Sequence, residues 1–322
     1  MIRFLGVLLA LCLFPFAGAV AQAWPSKPIT WVVPYPPGGV TDTTSRAVAK
    51  RMSEILGQPI VIDNRPGVAG SMGTEYVARL PADGYTVLYA STGPMAANLA
   101  LYKNLKYEPL KDFAPVHGML LSPTMLVVDA SKPYKTLAEF VQYARANPGK
   151  LNMASAGSGT GTHLSGELFQ THAGVKFVHV PYKGTAAALQ DMLGGRVDLM
   201  FDYPSILQPH IKSGKLRGLA LMGPTAFEAF PDVPTIGRGG YPGAEATAWS
   251  GIVVPAGTPE AIVEKLAAAM KTALQDKEVV GPFVSVGSTP LIDMGPKAFR
   301  QFIADEQKKW ADVVLKSGAT VN

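Results

Sequence analysis

Apolar, β-branched runs in this chain repeatedly stop at loops of Gly, Pro, Ser and Thr, and resume as segments with helical periodicity. That rhythm restricts the fold to an α/β sheet with ligands at the carboxyl ends of its strands. Its clearest instance is Trp31 to Arg46. Trp31-Val32-Val33 ends at Pro34-Tyr35-Pro36-Pro37-Gly38-Gly39, and Thr41 and Asp42 then read as the cap of a helix. A helix start carries backbone N–H groups with no partner inside the helix, at the positive end of the macrodipole, so it binds an anion without needing a cationic side chain. Gly38, Gly39 and Val40 are therefore candidates to hold one end of a carboxylate. The same residues also read as an ordinary strand-to-helix turn of a parallel sheet. The prolines cannot donate hydrogen bonds, but they hold the loop in place before a ligand arrives.

In chain order, strands are expected over Ile29 to Val33, Pro59 to Ile62 and Tyr85 to Ala90, with helices over Thr43 to Leu56 and Thr74 to Leu80. Residues 103–115, rich in Lys, Pro and Tyr, read as a linker region, and a first crossing between domains is expected between it and the strand Met125 to Val128. Thr136 caps a helix running to Ala146. The rhythm then restarts with a strand at Leu151 to Ser155, a loop at Gly157 to Thr162 and a helix from His163 to His172. Further strands at Lys176 to Val180, Val197 to Phe201 and Leu216 to Leu221 alternate with helices at Thr185 to Leu193 and Ser205 to Lys212. The irregular stretch Phe227 to Gly243 covers something or crosses between domains. A strand at Trp249 to Val254 follows, and Thr258-Pro259-Glu260 reads as an N-cap with proline at the first helical position. Helices Glu260 to Gln275 and Pro296 to Lys316 have mixed faces and are expected to pack on the first domain. The expected division is residues 24–124 with 250–322 as domain 1, and residues 125–249 as domain 2.

The first 23 residues read as a cleaved secretory signal: Arg3, the apolar run Phe4 to Phe16, and Ala21-Gln22-Ala23 before the cut. The single cysteine, Cys12, lies within that segment, so disulfides, thiol catalysis and cysteine metal sites are all excluded from the mature chain. With 48% hydrophobic residues a large core is available. The net charge of +5 falls to +4 without Arg3, and its scattered Lys and Arg residues argue against nucleic acid while suiting small anions. The five histidines, at 117, 163, 172, 179 and 210, show no metal-ligand spacing. His163 stands beside a Gly/Ser/Thr loop and either touches a ligand or serves as a capping or packing residue. Ala69-Gly70-Ser71-Met72-Gly73 misses the nucleophile-elbow pattern at its first position, and Ser158 misses it on both sides. The glycines at 157, 159 and 161 do not match a dinucleotide fingerprint. What remains at Gly38 to Thr41, Ser91-Thr92 and Ser155 to Thr162 is rich in donors and poor in nucleophiles, the composition of a binding site.

Seven runs resemble, in order, the Bug family of periplasmic solute receptors of tripartite tricarboxylate transporters. They are Trp24-Pro25-Ser26-Lys27-Pro28-Ile29, Pro34-Tyr35-Pro36-Pro37-Gly38-Gly39-Val40-Thr41-Asp42, Asn64-Arg65-Pro66-Gly67, Pro81-Ala82-Asp83-Gly84-Tyr85-Thr86, His179-Val180-Pro181-Tyr182-Lys183-Gly184, Pro231-Asp232-Val233-Pro234-Thr235 and Pro255-Ala256-Gly257-Thr258-Pro259. The resemblance implies a type II periplasmic-binding-protein-like fold of two α/β domains closing on an interdomain cleft. It implies a monomer that is no enzyme, carries no cofactor, metal or nucleic acid, binds a small carboxylate (a di- or tricarboxylate or an aromatic acid) and meets the membrane components of a transporter. In that family the loops matching Pro34 to Asp42 and Ser155 to Thr162 grip a carboxylate from opposite domains through backbone amides, hydroxyls and water. Carried over, this nominates Tyr35, Gly38, Gly39, Thr41, Asp42, Ser91, Thr92, Ser155, Gly159, Thr160, His163, Lys183 and Asp202, with Tyr203 beside the last. Tyr35 and Tyr203 stand where relatives often carry Phe and Asn, which favours an aromatic or hydroxylated acid. The alternatives left open are a ligand sensor of a two-component system and a secreted hydrolase.

Overall fold

The computed structural model describes residues 24–317, so the expected signal segment and Cys12 lie outside the described residues. The first elements are β1 (Ile29–Val33), α1 (Val40–Leu56), β2 (Ile60–Asn64), α2 (Ser71–Ala78) and β3 (Thr86–Ser91). β1 pairs in parallel with both β2 and β3, which requires crossovers, and α1 and α2 supply them. A π-helical turn at Gly93–Ala97 and the short helices α3 (Asn98–Leu101) and α4 (Pro109–Asp112) lead into β4 (Phe113–Pro123). This corrects the expected linker at residues 103–115, whose end is helix and strand. Pro115, His117 and Gly118 break the alternation that marks a strand in sequence, and β4 is defined instead by pairing along its length with a partner far away in the chain.

After β4 come β5 (Met125–Asp129), α5 (Leu137–Ala146), β6 (Asn152–Ser155), α6 (Gly161–Ala173), β7 (Val178–Pro181), α7 (Thr185–Leu193), β8 (Leu199–Asp202), α8 (Pro204–Lys212) and β9 (Leu216–Leu221). The chain then returns through a largely irregular segment to β10 (Thr247–Pro255), α9 (Glu260–Gln275), α10 (Lys277–Val284), β11 (Thr289–Pro290) and α11 (Pro296–Ser317). Two sheets result, a six-stranded one ordered β11-β4-β10-β3-β1-β2 and a five-stranded one ordered β7-β6-β8-β5-β9. In each, one strand that has come from the other sheet runs antiparallel to parallel neighbours: β10 beside β3, and β5 beside β8. The chain leaves the first sheet at Thr124 and comes back through Met222 and Ala246. These passes lie side by side, with Met222 N donating to Thr124 O at 2.8 Å and Ala246 N to Met222 O at 2.7 Å.

Helix boundaries follow local chemistry with two corrections. Thr136 caps α5 in a full capping box with Glu139, as its sequence predicts. α1, however, is capped by Gly39 and starts at Val40, so Asp42 sits in its first turn and not at its cap. α9 is capped by Pro259, and Thr258 Oγ1 turns back to donate to Pro255 O at 2.8 Å. α10 and β11 are not among the expected elements: Asp276 caps α10 by accepting from Glu278 N at 3.0 Å, but Gly281 and Pro282 sit inside that helix, and β11 is only two residues long.

α9 packs on α1 in the first core, where Val48, Met52, Leu266 and Met270 are buried together. α11 does more than the expected packing on the first domain. It lies on β4 and also reaches α6, and Val313 borders the cores of both sheets. Glu306 of α11, 8% exposed, accepts from Trp249 Nε1 at 2.8 Å and from Trp310 Nε1 at 2.7 Å. Removing that carboxylate strands two buried indole donors. Glu306→Ala is therefore expected to destabilise the protein by about 2–4 kcal/mol in chemical denaturation; a midpoint unchanged from wild type would contradict this role for Glu306.

Candidate functional site

The loops that follow β1, β3, β6 and β7 meet the start of β10 in the space between the two sheets, and enclose a cavity of about 100 Å³. That is several times the space one water needs. Three helices point their first residues at it. α1 contributes Gly39, Val40 and Thr41; α6 contributes Thr160, Gly161 and Thr162; α7 contributes Gly184, Thr185 and Ala186. In each case these are the cap residue and the first two helical residues. Backbone hydrogen bonding starts only further on, with Thr43 N to Gly39 O, Leu164 N to Thr160 O and Ala188 N to Gly184 O. The N–H groups between have no partner among the described residues. Three positive helix ends thus share one interior, and among the described residues Lys183 is the only charged one in its lining.

Aromatic and hydroxyl groups complete the wall: Tyr35, Tyr89, Tyr203 and Trp249, with Ser91 and Thr92. Tyr35 Oη and Ser91 Oγ share a hydrogen bond of 3.0 Å. Burial, more than any charge, pushes the Tyr35 phenol up to about 12, and does the same in direction to Tyr89 and Tyr203. The phenols stay protonated and keep an O–H to donate. Trp249 N donates to Thr92 Oγ1 at 3.2 Å, while the Trp249 indole is held from behind by Glu306.

Of the residues nominated from sequence, Tyr35, Gly39, Thr41, Ser91, Thr92, Thr160, Lys183 and Tyr203 line the cavity. The other six do not, and each has its own partners. The Gly38 N–H, expected to face an anion, is taken by Asp42 Oδ2 at 3.0 Å. Burial works to raise the Asp42 pKa, but hydrogen bonds from Arg46, Gly38 and Asn64 outweigh it and hold the carboxyl below its usual range. Ser155 Oγ and His179 Nε2 are 2.6 Å apart. The His179 ring stacks on His163 at 4.0 Å, and burial, then that neighbour, pull His179 down to about 3. Gly159 N donates to His163 Nδ1 at 3.1 Å, which puts the ring proton of His163 on Nε2, facing Glu167 Oε1 at 3.5 Å. Asp202 ends β8 with 0% exposure. Its Oδ1 accepts from Tyr203 N at 2.7 Å and Thr185 Oγ1 at 3.4 Å, whereas Oδ2 has no partner among the described residues. Burial raises this carboxyl to about 7 against the pull of those hydrogen bonds. Ser71 is buried and receives Asn98 Nδ2–H at 2.9 Å, and Ser158 O receives the Tyr102 hydroxyl at 3.0 Å. Among the described residues no group of His, Cys, Asp and Glu side chains is placed to hold a metal ion.

The sheets touch across the cavity through glycines. A Cβ on Gly93 would sit 2.8 Å from Gly159 O, and a Cβ on Gly159, whose φ is +89°, would collide with Asn98. Sequence reasoning missed the α7 terminus, although Gly184-Thr185 opens the expected helix in the same way that Gly39-Val40 opens α1. It also missed Trp249 and Tyr89, which look like core aromatics until the sheets are set face to face.

A sequence profile described as "Tripartite tricarboxylate transporter family receptor" matches residues 44–319. BugT of Bordetella pertussis is 39% identical over 301 residues, spanning 93% of this chain and 92% of BugT. Two solved structures superpose closely. Rpa4515 of R. palustris with adipate is 35% identical with a TM-score of 0.88, covering 92% of this chain and 100% of that one. MatC of Rhodopseudomonas palustris with bound malate is 35% identical with a TM-score of 0.84, covering 90% and 100%. A profile match over most of the chain, together with identities of this size along its length, establishes that the chain belongs to the Bug family of tripartite tricarboxylate transporter receptors.

Proposed function

We propose that this receptor captures a small organic carboxylate, a di- or tricarboxylate or an aromatic acid, between its sheets and delivers it to the membrane components of a tripartite transporter. The observation that carries this reading is the convergence of the α1, α6 and α7 N-termini on one cavity in whose lining, among the described residues, Lys183 is the only charged one. An anion satisfies N–H groups that the fold itself leaves without partners. The adipate and malate seen in two relatives are of the chemistry such a site accepts. Donors without a nucleophile and base in the lining read as binding, not turnover. The reading places the protein in the periplasm, exported by residues 1–23 and acting as a monomer.

Capture is by closure of two bodies, residues 24–124 with 250–322 and residues 125–249. The hinge is the set of passes at Thr124, Met222 and Ala246, and the closed contacts are Gly93 with Gly159 and Pro36 with Gly184. Of the nominated residues, Tyr35, Gly39, Thr41, Ser91, Thr92, Thr160, Lys183 and Tyr203 touch the ligand. Gly38, Asp42, Ser155, Gly159, His163 and Asp202 hold the loops that do.

A ligand at 100 times its dissociation constant adds about 2.7 kcal/mol of stability, so a thermal-shift panel of carboxylates identifies binders directly. A panel in which no carboxylate raises the melting temperature would sink the proposal. Gly39 has φ −81°, which suits proline, and a Cβ there meets nothing closer than 3.9 Å. Gly39→Pro therefore removes one donor with little distortion, and calorimetry is expected to show carboxylate affinity falling by about tenfold or more. Unchanged affinity would place the anion elsewhere.

Asp202 supplies a pH test. Folded Asp202 keeps its proton up to about pH 7, whereas its ordinary value is 3.8, so the folded state binds more protons than the unfolded state between those values. Its contribution to stability is present at the acid end of that window and is lost as pH rises towards about 7. Asp202→Asn keeps the acceptor for Tyr203 N and abolishes the titration. Wild type is expected to lose stability relative to the variant between pH 5 and pH 7 in thermal melts. Parallel pH profiles for the two proteins would contradict the assignment.

A further inference from the structure

A second chamber of about 670 Å³ opens from the first. Tyr35, Pro36, Ala156, Lys183 and Gly184 line both, so they form the neck between them. Pro36 and Gly184 pinch that neck: a Cβ on Gly184 would lie 3.3 Å from Pro36 Cγ. The outer chamber differs in chemistry from the inner one. From helix starts it takes only the cap residues Gly184 of α7 and Gly70 of α2, and the first two N–H groups of α2 are taken by Val68 O and Gly67 O. Among the described residues Lys183, shared with the inner chamber, is its only charged residue. Its phenol hydroxyls are already committed, Tyr102 Oη to Ser158 O at 3.0 Å and Tyr182 Oη to Asp191 Oδ2 at 2.8 Å. What those rings offer the chamber is apolar surface, and water there finds few partners.

The backbone points the same way. Val68 and Ala69, both in the outer wall, hold φ of +46° and +49°. Two consecutive non-glycine residues in the left-handed region are strained, the β-branched valine most of all. Such strain persists where the surroundings impose it, and it clusters at ligand sites. Its result here is a valine 51% exposed at the chamber wall, an apolar side chain that solvent alone gives no reason to keep in that conformation.

We propose that the outer chamber is a subsite for the apolar body of the ligand, so that the preferred ligands are carboxylates bearing an aryl or extended alkyl tail. The carboxylate sits on the helix ends, and the tail passes the neck and rests against Val68, Tyr102 and Tyr182. This rests on the carboxylate reading of the inner chamber and narrows it. Lys183, which lines both chambers, faces the ligand at the neck.

Calorimetry of propionate, adipate and 4-phenylbutyrate on the wild type and on Val68→Asn tests the subsite. Asparagine tolerates the left-handed conformation and adds no charge, so the fold and the anion site are left intact. Wild type is expected to bind 4-phenylbutyrate at least about tenfold tighter than propionate, through burial of the tail. Val68→Asn is expected to remove most of that gain while leaving propionate unchanged. Binding of propionate and adipate with no gain for 4-phenylbutyrate would overturn the subsite alone. A variant that keeps the full gain, or that weakens all three acids equally, would overturn it too. No binding of any of the three would overturn the carboxylate reading and the subsite with it.

Discussion

Each helix begins with N–H groups that its own turns cannot satisfy, and here three helices begin at the same place. A protein with one such terminus in a cleft can cover it with a side chain, as Asp42 covers the N–H of Gly38. With three termini around one cavity, and no acidic residue in its lining among the described residues, the fold leaves those donors without a protein partner there. The rest of the molecule brings those termini together. Each terminus follows a parallel strand, and parallel strands place all their following loops along one edge of a sheet. Facing that edge of one sheet with that of the other concentrates the donors between them.

The supporting structure makes the meeting accurate. β10 and β5 carry the chain between sheets and lie antiparallel within the sheet they enter, so the crossings are anchored by ladder hydrogen bonds at both ends. Glycines at 93 and 159 let the two loops approach to contact. Behind the cavity wall, Glu306 holds Trp249 and Trp310 from α11, a helix that also borders the core of the second sheet. A buried carboxylate with two indole donors is worth more than its surface counterparts because no water competes for it. The buried carboxyl of Asp202 and the stacked pair of His163 and His179 belong to the same supporting layer. They are polar, out of contact with the cavity, and bonded to the loops that line it.

Much of this was legible in the residues because the relevant physics is local. The strand at Ile29–Val33, the helix Thr185–Leu193, the helix Glu260–Gln275 and the Thr136 capping box depend on side chains within a few positions of one another. So does the helix-end argument at Gly39. What failed depended on distance. β4 is interrupted by Pro115 and Gly118 and exists as a strand because β10 pairs with it more than a hundred residues later. Thr258 has the right residue type for an N-cap, yet its hydroxyl and its N–H both turn back to Pro255 O at the end of β10, and Pro259 stands at the helix start.

The sequence by itself determined most of the elements, that the loops between them are rich in hydrogen-bond donors, and that a strand gives way to a helix around Gly39. Periodicity, capping and turn chemistry act over a few residues, so they can be read along the chain. Tertiary structure decided which helix ends share a cavity, that Gly184 to Ala186 joins Gly39 to Thr41 and Thr160 to Thr162, and that Asp202 and His163 stand behind the wall. It also decided that a second, apolar chamber opens past Tyr35 and Pro36. Those facts depend on how one sheet faces the other, and that arrangement is set by pairings and packing between residues far apart in the chain, which no local pattern encodes.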